Sequence, residues 1–368
     1  MNPTPSQLEQ AIRQFQFEGH YLDVEPHGQG HINDTYQVRF ILADSRIKRY
    51  ILQRINTLVF KNPQALMENI AKVTSYLRQV IAQNGGDPDR ESLTLIQTRA
   101  GENWYRDLDH GIWRAFHFIE NAVSLQQTDS IEPFISAAKA FGQFQMRLQN
   151  FPAHELHETI ADFHNTPKRL NDLKIAVQQD VAGRVSTVSE ELAFVFQREH
   201  EAGKLLEALA QGTVPLRVTH NDTKLNNVML DLDTGAGVCV IDLDTVMPGL
   251  SLYDYGDAIR FGASSADEDE KDLTRVWFDL DKAAAYTQGF FETASSILTP
   301  AEKELAPWGA KLMTLECGIR FLTDYLQNDL YFKTKYPEHN LVRARTQFKL
   351  VADMESKWEA YQALVSRI

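Results

Sequence analysis

The chain has 368 residues and a mass of 41.9 kDa, more than a single hydrophobic core usually supports, so two lobes are expected. A content of 43% hydrophobic and 24% charged residues excludes a disordered or collagen-like chain. A net charge of −13 and a pI near 5.3 argue against a general nucleic-acid or anionic-membrane binder, and no apolar run approaches the ~20 residues of a membrane span.

The first residues, MNPTPSQLEQAIRQF, show no cationic stretch leading into an apolar one, so no secretory signal is read there. Thr4-Pro5 followed by Leu8, Ile12 and Phe15 predicts a capped helix. Tyr36, Val38, Phe40 and Leu42 alternate as a strand, Ala43–Ser45 is a polar turn, and Arg49–Leu52 is the next strand. Asn62-Pro63 opens a helix with Leu66, Ile70, Val73 and Leu77 on one face, closed at Asn84–Pro88. Strands follow at Leu93–Gln97, Asn103–Arg106 and Ile112–Ile119. After Asn121 the pattern is helical, interrupted by an irregular loop and a hairpin, Val228–Leu230 and Val238–Ile241. A cap at Thr299-Pro300 starts a long helix running to about Tyr325. The fold class is α+β, with an antiparallel-sheet lobe over 1–120 and a helical lobe over 121–368. Cys239 and Cys317 cannot build a disulfide framework and fit reduced thiols in a cytoplasmic protein. The sequence does not fix the oligomeric state, and a monomer is the expectation.

Chemistry concentrates in two segments. Thr219–Asn227 follows a strand-like stretch and ends at the hairpin, and Val240-Ile241-Asp242-Leu243-Asp244 lies on the hairpin's return. Phosphoryl transfer needs a carboxylate for the attacking hydroxyl and oxygen ligands for a metal bridging the phosphates. Asp222 supplies the first; Asn227 and Asp242 supply the second. Singly, Asp222 and Asn227 read as turn caps, but the order His-x-Asp-x4-Asn, hairpin, apolar-apolar-Asp is far more specific. His220 reads as a loop brace. Lys224 either neutralises charge on the transferred group or is a solvated surface lysine. Upstream, His27-Gly28-Gln29-Gly30-His31 precedes a strand rather than a helix, which suits a flap over phosphates and not a dinucleotide-binding turn. The chain has no zinc-hydrolase spacing, serine-hydrolase elbow or Walker A motif.

These residues resemble the aminoglycoside phosphotransferase and choline kinase family. Gly30–Tyr36, Arg49–Gln53, Asp162–Pro167, Arg217–Asn227, Ile241–Gly249, Phe261–Ser264, Cys317–Leu322 and Tyr331–Asn340 narrow the resemblance to its N-acetylhexosamine 1-kinase branch. The resemblance implies a protein-kinase-like two-lobed fold. It also implies ATP- and Mg²⁺-dependent phosphorylation of the anomeric hydroxyl of N-acetylglucosamine or N-acetylgalactosamine. Carried over, Asp222 is the base, Asn227 and Asp242 are metal ligands, and Asp244 is a supporting acid or second-metal contact. Gly28, Gly30 and His31 line the flap, and Phe118-Ile119-Glu120 is the adenine hinge. Phe261, Arg320 and Tyr331 face the sugar, joined by Asp324 and His31. Read from the residues alone, Phe261 and Tyr331 are core packing and Arg320 a surface ion pair. The strand lysine of the wider family is absent. Its place falls at Gln53 or Arg54, of which only one can face the nucleotide, and Glu68 is the candidate helix partner.

A protein kinase is disfavoured because only 14 residues separate Asp242 from Asp257. A choline-type acceptor would want an aromatic cage, to which Phe261 and Tyr331 could contribute, but Arg320 beside them opposes it. A pseudokinase binding module is disfavoured because Asp222, Asn227 and Asp242 are all present.

Overall fold

The computed structural model describes residues 3–28, 32–126, 128 and 130–368. Thr4 caps helix α1 (Pro5–Gln14) in a capping box with Gln7. Strands β1 (His20–Pro26), β2 (Asp34–Ile41) and β3 (Ile47–Ile55) form an antiparallel meander. Helix α2 (Pro63–Gln83) is capped by Asn62, which accepts from the Ala65 amide. A one-turn helix α3 (Pro88–Glu91) and short strands β4 (Leu95–Ile96) and β5 (Tyr105–Arg106) lead into β6 (Ile112–His117). The sheet order is β1-β2-β3-β6-β4, with β5 also on β6.

Strand alternation divides this sheet into two faces. Val38, Phe40, Tyr50, Leu52, Trp113 and Ala115 pack with Ala11 and Ile12 of α1 and with Phe15 just after it. The other face carries Ile51, Ile55, Ile112 and Phe116 toward α2, and its core runs on into the rest of the molecule. Strand β1 was not legible as a strand because it is a solvated edge, largely exposed along its length.

The larger part is helical. Strand β7 (Ala122–Val123) is followed by α4 (Glu132–Arg147), α5 (Thr166–Gln179), α6 (Ser189–Gln197) and α7 (Lys204–Ala210). Then come β8 (Arg217–Thr219), the hairpin β9 (Val228–Asp231) and β10 (Gly237–Val240), and β11 (Met247–Gly249), which pairs with β8. Helices α8 (Ser251–Gly262), α9 (Leu280–Ala294), α10 (Pro300–Leu326), α11 (His339–Ser356) and α12 (Trp358–Arg367) complete the chain. Thr299 caps α10 in a capping box with Glu302, as its sequence implied.

Helix α8 carries several acids discussed below, and its depth is set by glycine. A Cβ on Gly256 would lie 2.3 Å from the Gly309 carbonyl oxygen of α10, so only glycine allows this approach. The fold is α+β, with an antiparallel-sheet N-terminal lobe and a helical C-terminal lobe. Among the described residues no helix is long and apolar enough to cross a membrane.

Candidate active site

The loop after β8 is held from beneath. Asp254 of α8 is fully buried and accepts the His220 amide at 3.0 Å, the Asn221 amide at 2.7 Å and Gln145 Nε2 at 2.8 Å. Asp257, one turn on, accepts the Thr223 amide at 3.0 Å. His220 accepts the Asp222 amide at Nδ1, 3.3 Å, so Nε2 carries the proton and donates to the Ile241 carbonyl at 2.8 Å. Its ring packs on Phe141 and Phe144. The brace expected of His220 is what this geometry provides. Asn221 sits at φ +65°, a left-handed conformation that asparagine tolerates, and this aims Asp222 out of the loop.

Because Asp254 satisfies two buried backbone donors, Asp254→Ala is expected to destabilise the fold by roughly 2–4 kcal/mol. Denaturant unfolding measures this, and a loss below about 1 kcal/mol would mean that the loop is anchored elsewhere.

At the loop's mouth, Lys224 Nζ lies 2.8 Å from Asp222 Oδ1. Asn227 Nδ2 donates to Asp222 Oδ2 at 3.0 Å and to the Asp222 carbonyl at 2.8 Å. Burial alone would raise the Asp222 pKa, but the Lys224 charge, with His220 and Asn227, holds it below the ordinary carboxylate value. The Asp222 carboxylate in turn pushes Lys224 up. Asp222 therefore enters any reaction ionised.

Asp242 lies past the end of β10 at φ +59°. Its side chain is exposed at the cleft, and the partial dehydration there, together with the negative charges of Asp244 and Asp222, pushes its carboxyl up to about 7. Asp244 is buried, and both its oxygens are engaged, by Arg114 Nη1 and by Asn33 Nδ2 at 2.6 Å. Of the two roles expected for Asp244, supporting acid and second-metal contact, this bonding matches the first.

The β3–β6 register separates Gln53 from Arg54. Gln53 stands opposite Arg114 and accepts from its Nε at 2.9 Å, on the face toward Asp244. Arg54 stands opposite Trp113 on the α1 side, its guanidinium 6.0 Å from that ring's centroid. Glu68, expected as the helix partner of a strand cation, instead pairs with His157 at 2.7 Å and accepts from Gln64 at 2.9 Å. Helix α2 points that side chain at the 157 loop rather than at β3. Gly28 adopts φ +72°, the left-handed turn suited to a flap; Gly30 and His31 lie outside the described residues. At the expected hinge Ile119 is buried, and Glu120 pairs with Arg49, whose guanidinium lies 4.1 Å from the Phe118 centroid.

A second cluster forms around Arg320 on α10. Its guanidinium lies 5.2, 5.9 and 5.6 Å from the ring centroids of Phe163, Tyr331 and Phe332. Tyr331 is 59% exposed, and Phe261 is half-buried in the last turn of α8. Asp324 is committed to the fold here. It accepts the Tyr331 and Phe332 amides at 2.8 and 2.9 Å and Asn340 Nδ2 at 2.8 Å, so it sets the position of Tyr331. The 162–167 segment ties in through Glu316, which meets His164 Nδ1 at 2.9 Å and Thr166 Oγ1 at 2.7 Å.

Sequence reasoning passed over Arg114, Asn33 as an Asp244 partner, and Asp254. The signal for Asp254 was two acids three residues apart in an otherwise apolar helix segment. Burial pushes the Cys239 thiol up to about 12 and the Cys317 thiol up to about 11, so both stay protonated near neutral pH.

Three solved structures share this architecture over nearly their whole length. A microcompartment-associated aminopropanol kinase has a TM-score of 0.65 and 16% identity, covering 98% of this chain and 99% of that one. An amicoumacin kinase solved with AMP-PNP, Ca²⁺ and Ami has a TM-score of 0.59 and 12% identity, covering 95% and 93%. Spectinomycin phosphotransferase, solved with ADP and spectinomycin, has a TM-score of 0.58 and 14% identity, covering 100% of both chains. At these identities the likeness concerns the fold. The sequence pattern of the phosphotransferase enzyme family matches residues 23–286, well over half of the chain, and the protein belongs to that family.

Proposed function

We infer that the protein transfers the γ-phosphoryl group of ATP, with Mg²⁺, to the anomeric hydroxyl of an N-acetylhexosamine, either N-acetylglucosamine or N-acetylgalactosamine. The observation that carries this reading is the ionised Asp222 between Lys224 and Asn227 at the mouth of the loop. Asp222 accepts the hydroxyl proton as the sugar oxygen bonds to phosphorus. The bond from the γ-phosphorus to the bridging oxygen breaks, and ADP leaves. Lys224, released from Asp222 as that proton arrives, is placed to meet negative charge on the transferred group. The lobes divide near residue 120, so Ile119 and Glu120 sit where a nucleotide base would be read through backbone groups.

The donor set fits Mg²⁺. Asn227 and Asp242 offer hard oxygen atoms, and the crowded carboxylates that raise Asp242 are relieved by a divalent cation. Among the described residues no three His, Cys, Asp or Glu side chains form a closed cage. That suits an ion which takes one or two protein ligands and completes its shell with phosphate oxygens. When bound, it neutralises charge on the phosphates.

For the acceptor, an aromatic face stacks on a pyranose and a guanidinium fork holds ring hydroxyls or an acetamido carbonyl. Arg320 among Phe163, Tyr331 and Phe332 offers both, with Phe261 as a further wall. Arg320→Ala is expected to raise the acceptor KM about tenfold or more while moving the ATP KM little. Equal effects on both constants would place Arg320 outside the acceptor pocket.

A second reading, an amino-alcohol acceptor, draws on the full-length similarity to an aminopropanol kinase. The guanidinium of Arg320 argues against a cationic acceptor at this cluster. ADP release with Mg²⁺-ATP separates the readings, using N-acetylglucosamine, N-acetylgalactosamine, glucose, choline, aminopropanol and no acceptor. Release confined to the N-acetylhexosamines supports the first; release with an amino alcohol alone overturns it.

A further inference from the structure

Nucleotide phosphates call for fixed positive charge in a kinase cleft. The cleft face of β3 offers Gln53 where a lysine would stand, and Glu68, the expected lysine partner, is turned to His157. The cation that this face does carry comes from the next strand. Arg114 is 1% exposed, and its neighbours along the same face of β6, Ile112 and Phe116, are core hydrophobics. Burying a guanidinium at such a position is costly unless it is paired, so a structural role alone would be met more cheaply by another apolar residue.

The surroundings of Arg114 point to the phosphates. Nε donates to Gln53 Oε1 at 2.9 Å, and Nη1 meets Asp244 of the opposite lobe. Asp244 also accepts from Asn33, whose Oδ1 accepts the Asn56 amide at 2.9 Å, so the start of β2 and the end of β3 close on the same carboxylate. Asp244 stands two residues along the chain from Asp242, the metal-ligand candidate. A cation bonded to Asp244 is thereby set beside the place where phosphates would be held at that metal. These bonds use Nε and Nη1; the guanidinium fork has two further N–H groups on Nη2.

We propose that Arg114 supplies the phosphate-binding charge that β3 lacks, and that Asp244 and Gln53 hold its guanidinium in place before nucleotide arrives. The proposal rests on the nucleotide-dependent reading above. Phosphate oxygens are met by the remaining N–H donors without breaking the bridge to Asp244. Arg114 thereby ties nucleotide occupancy to the interlobe contact.

Calorimetric binding of ADP, a non-hydrolysable ATP analogue with Mg²⁺, and adenosine tests this on the full chain. For Arg114→Met, affinity for ADP and the ATP analogue is expected to fall about tenfold or more, the scale of a lost charged hydrogen bond. Adenosine affinity is expected to stay within about twofold, since adenosine has no phosphate to lose. Adding Gln53→Lys to Arg114→Met restores a cation on the same face and is expected to recover part of the phosphate-dependent affinity. An Arg114→Met protein that binds ATP as the wild type does, or that loses ATP and adenosine affinity by the same factor, overturns the proposal. If that variant does not fold, Arg114→Lys carries the test. Its single point charge is expected to weaken ADP and ATP binding severalfold with adenosine unchanged, and unaltered ATP binding overturns the proposal equally. A wild-type protein that binds adenosine but gains nothing from phosphates overturns the role of Arg114 alone. One that binds neither adenosine nor ATP removes the nucleotide reading itself, and the proposal with it.

Discussion

Asp222→Asn is expected to lower kcat by about 100-fold or more while ATP affinity stays within about threefold. The substitution keeps the shape of the side chain, and its amide oxygen can still face Lys224 or Asn227. What it loses is the negative charge and the ability to take a proton. A loss of 100-fold corresponds to about 2.7 kcal/mol of transition-state stabilisation. Asp222→Ala is expected to fall to a similar level, because the proton acceptor is absent in both. The backbone amides of His220, Asn221 and Thr223 remain held by Asp254 and Asp257, so the loop keeps its form in either variant. The measurement is single-turnover phosphoryl transfer beside nucleotide binding on the same preparation. Turnover within tenfold of wild type in Asp222→Asn would remove Asp222 from the mechanism.

Much of the architecture was legible because local signals agreed with the tertiary outcome. Thr4, Asn62 and Thr299 each cap a helix where the sequence placed its start. The alternation of Val38 and Phe40 against Tyr50 and Leu52 fixed one sheet face, and the turn between β9 and β10 fixed a hairpin. What stayed hidden depended on pairing across the chain. Nothing near Arg114 in sequence announces Asp244, 130 residues on. Strand β6 reads as a hydrophobic run with one charge in it, and only the register opposite Gln53 gives that charge a place. Likewise Gln53 and Arg54 are neighbours whose opposite facing depends on strand pairing. Asp324 was expected at the sugar from the family resemblance; its oxygens hold the loop that presents Tyr331. Glu68 failed for the same kind of reason, since the rotation of α2 sends it to His157.

Asp242→Ala is expected to abolish Mg²⁺-dependent turnover, and Asp242→Asn separates the reasons. Asp242 sits at φ +59°, where alanine is strained by about 1–2 kcal/mol but asparagine is tolerated. Asparagine therefore removes the charge with little backbone cost. It keeps one oxygen for a metal, so its activity is expected to demand much higher Mg²⁺ than the wild type needs. Stability should move the other way. In the metal-free protein the Asp242 carboxyl is raised to about 7, so its charged form is disfavoured by folding. This penalty is absent below about pH 3, where the carboxyl is largely protonated folded or unfolded; it grows as pH rises through the unfolded value of 3.8 and is complete above about pH 7. Without Mg²⁺, Asp242→Asn should therefore melt at or above the wild-type temperature at pH 8, with the gap closing toward pH 5. Added Mg²⁺ should reverse the order by stabilising the wild type, since an ion that binds only the folded state raises its melting temperature. Loss of activity with gain of metal-free stability is the signature of a residue kept for binding rather than folding. Ordinary Mg²⁺ dependence in folded Asp242→Ala would take Asp242 out of the metal site, and the charge crowding around it would then need another cause.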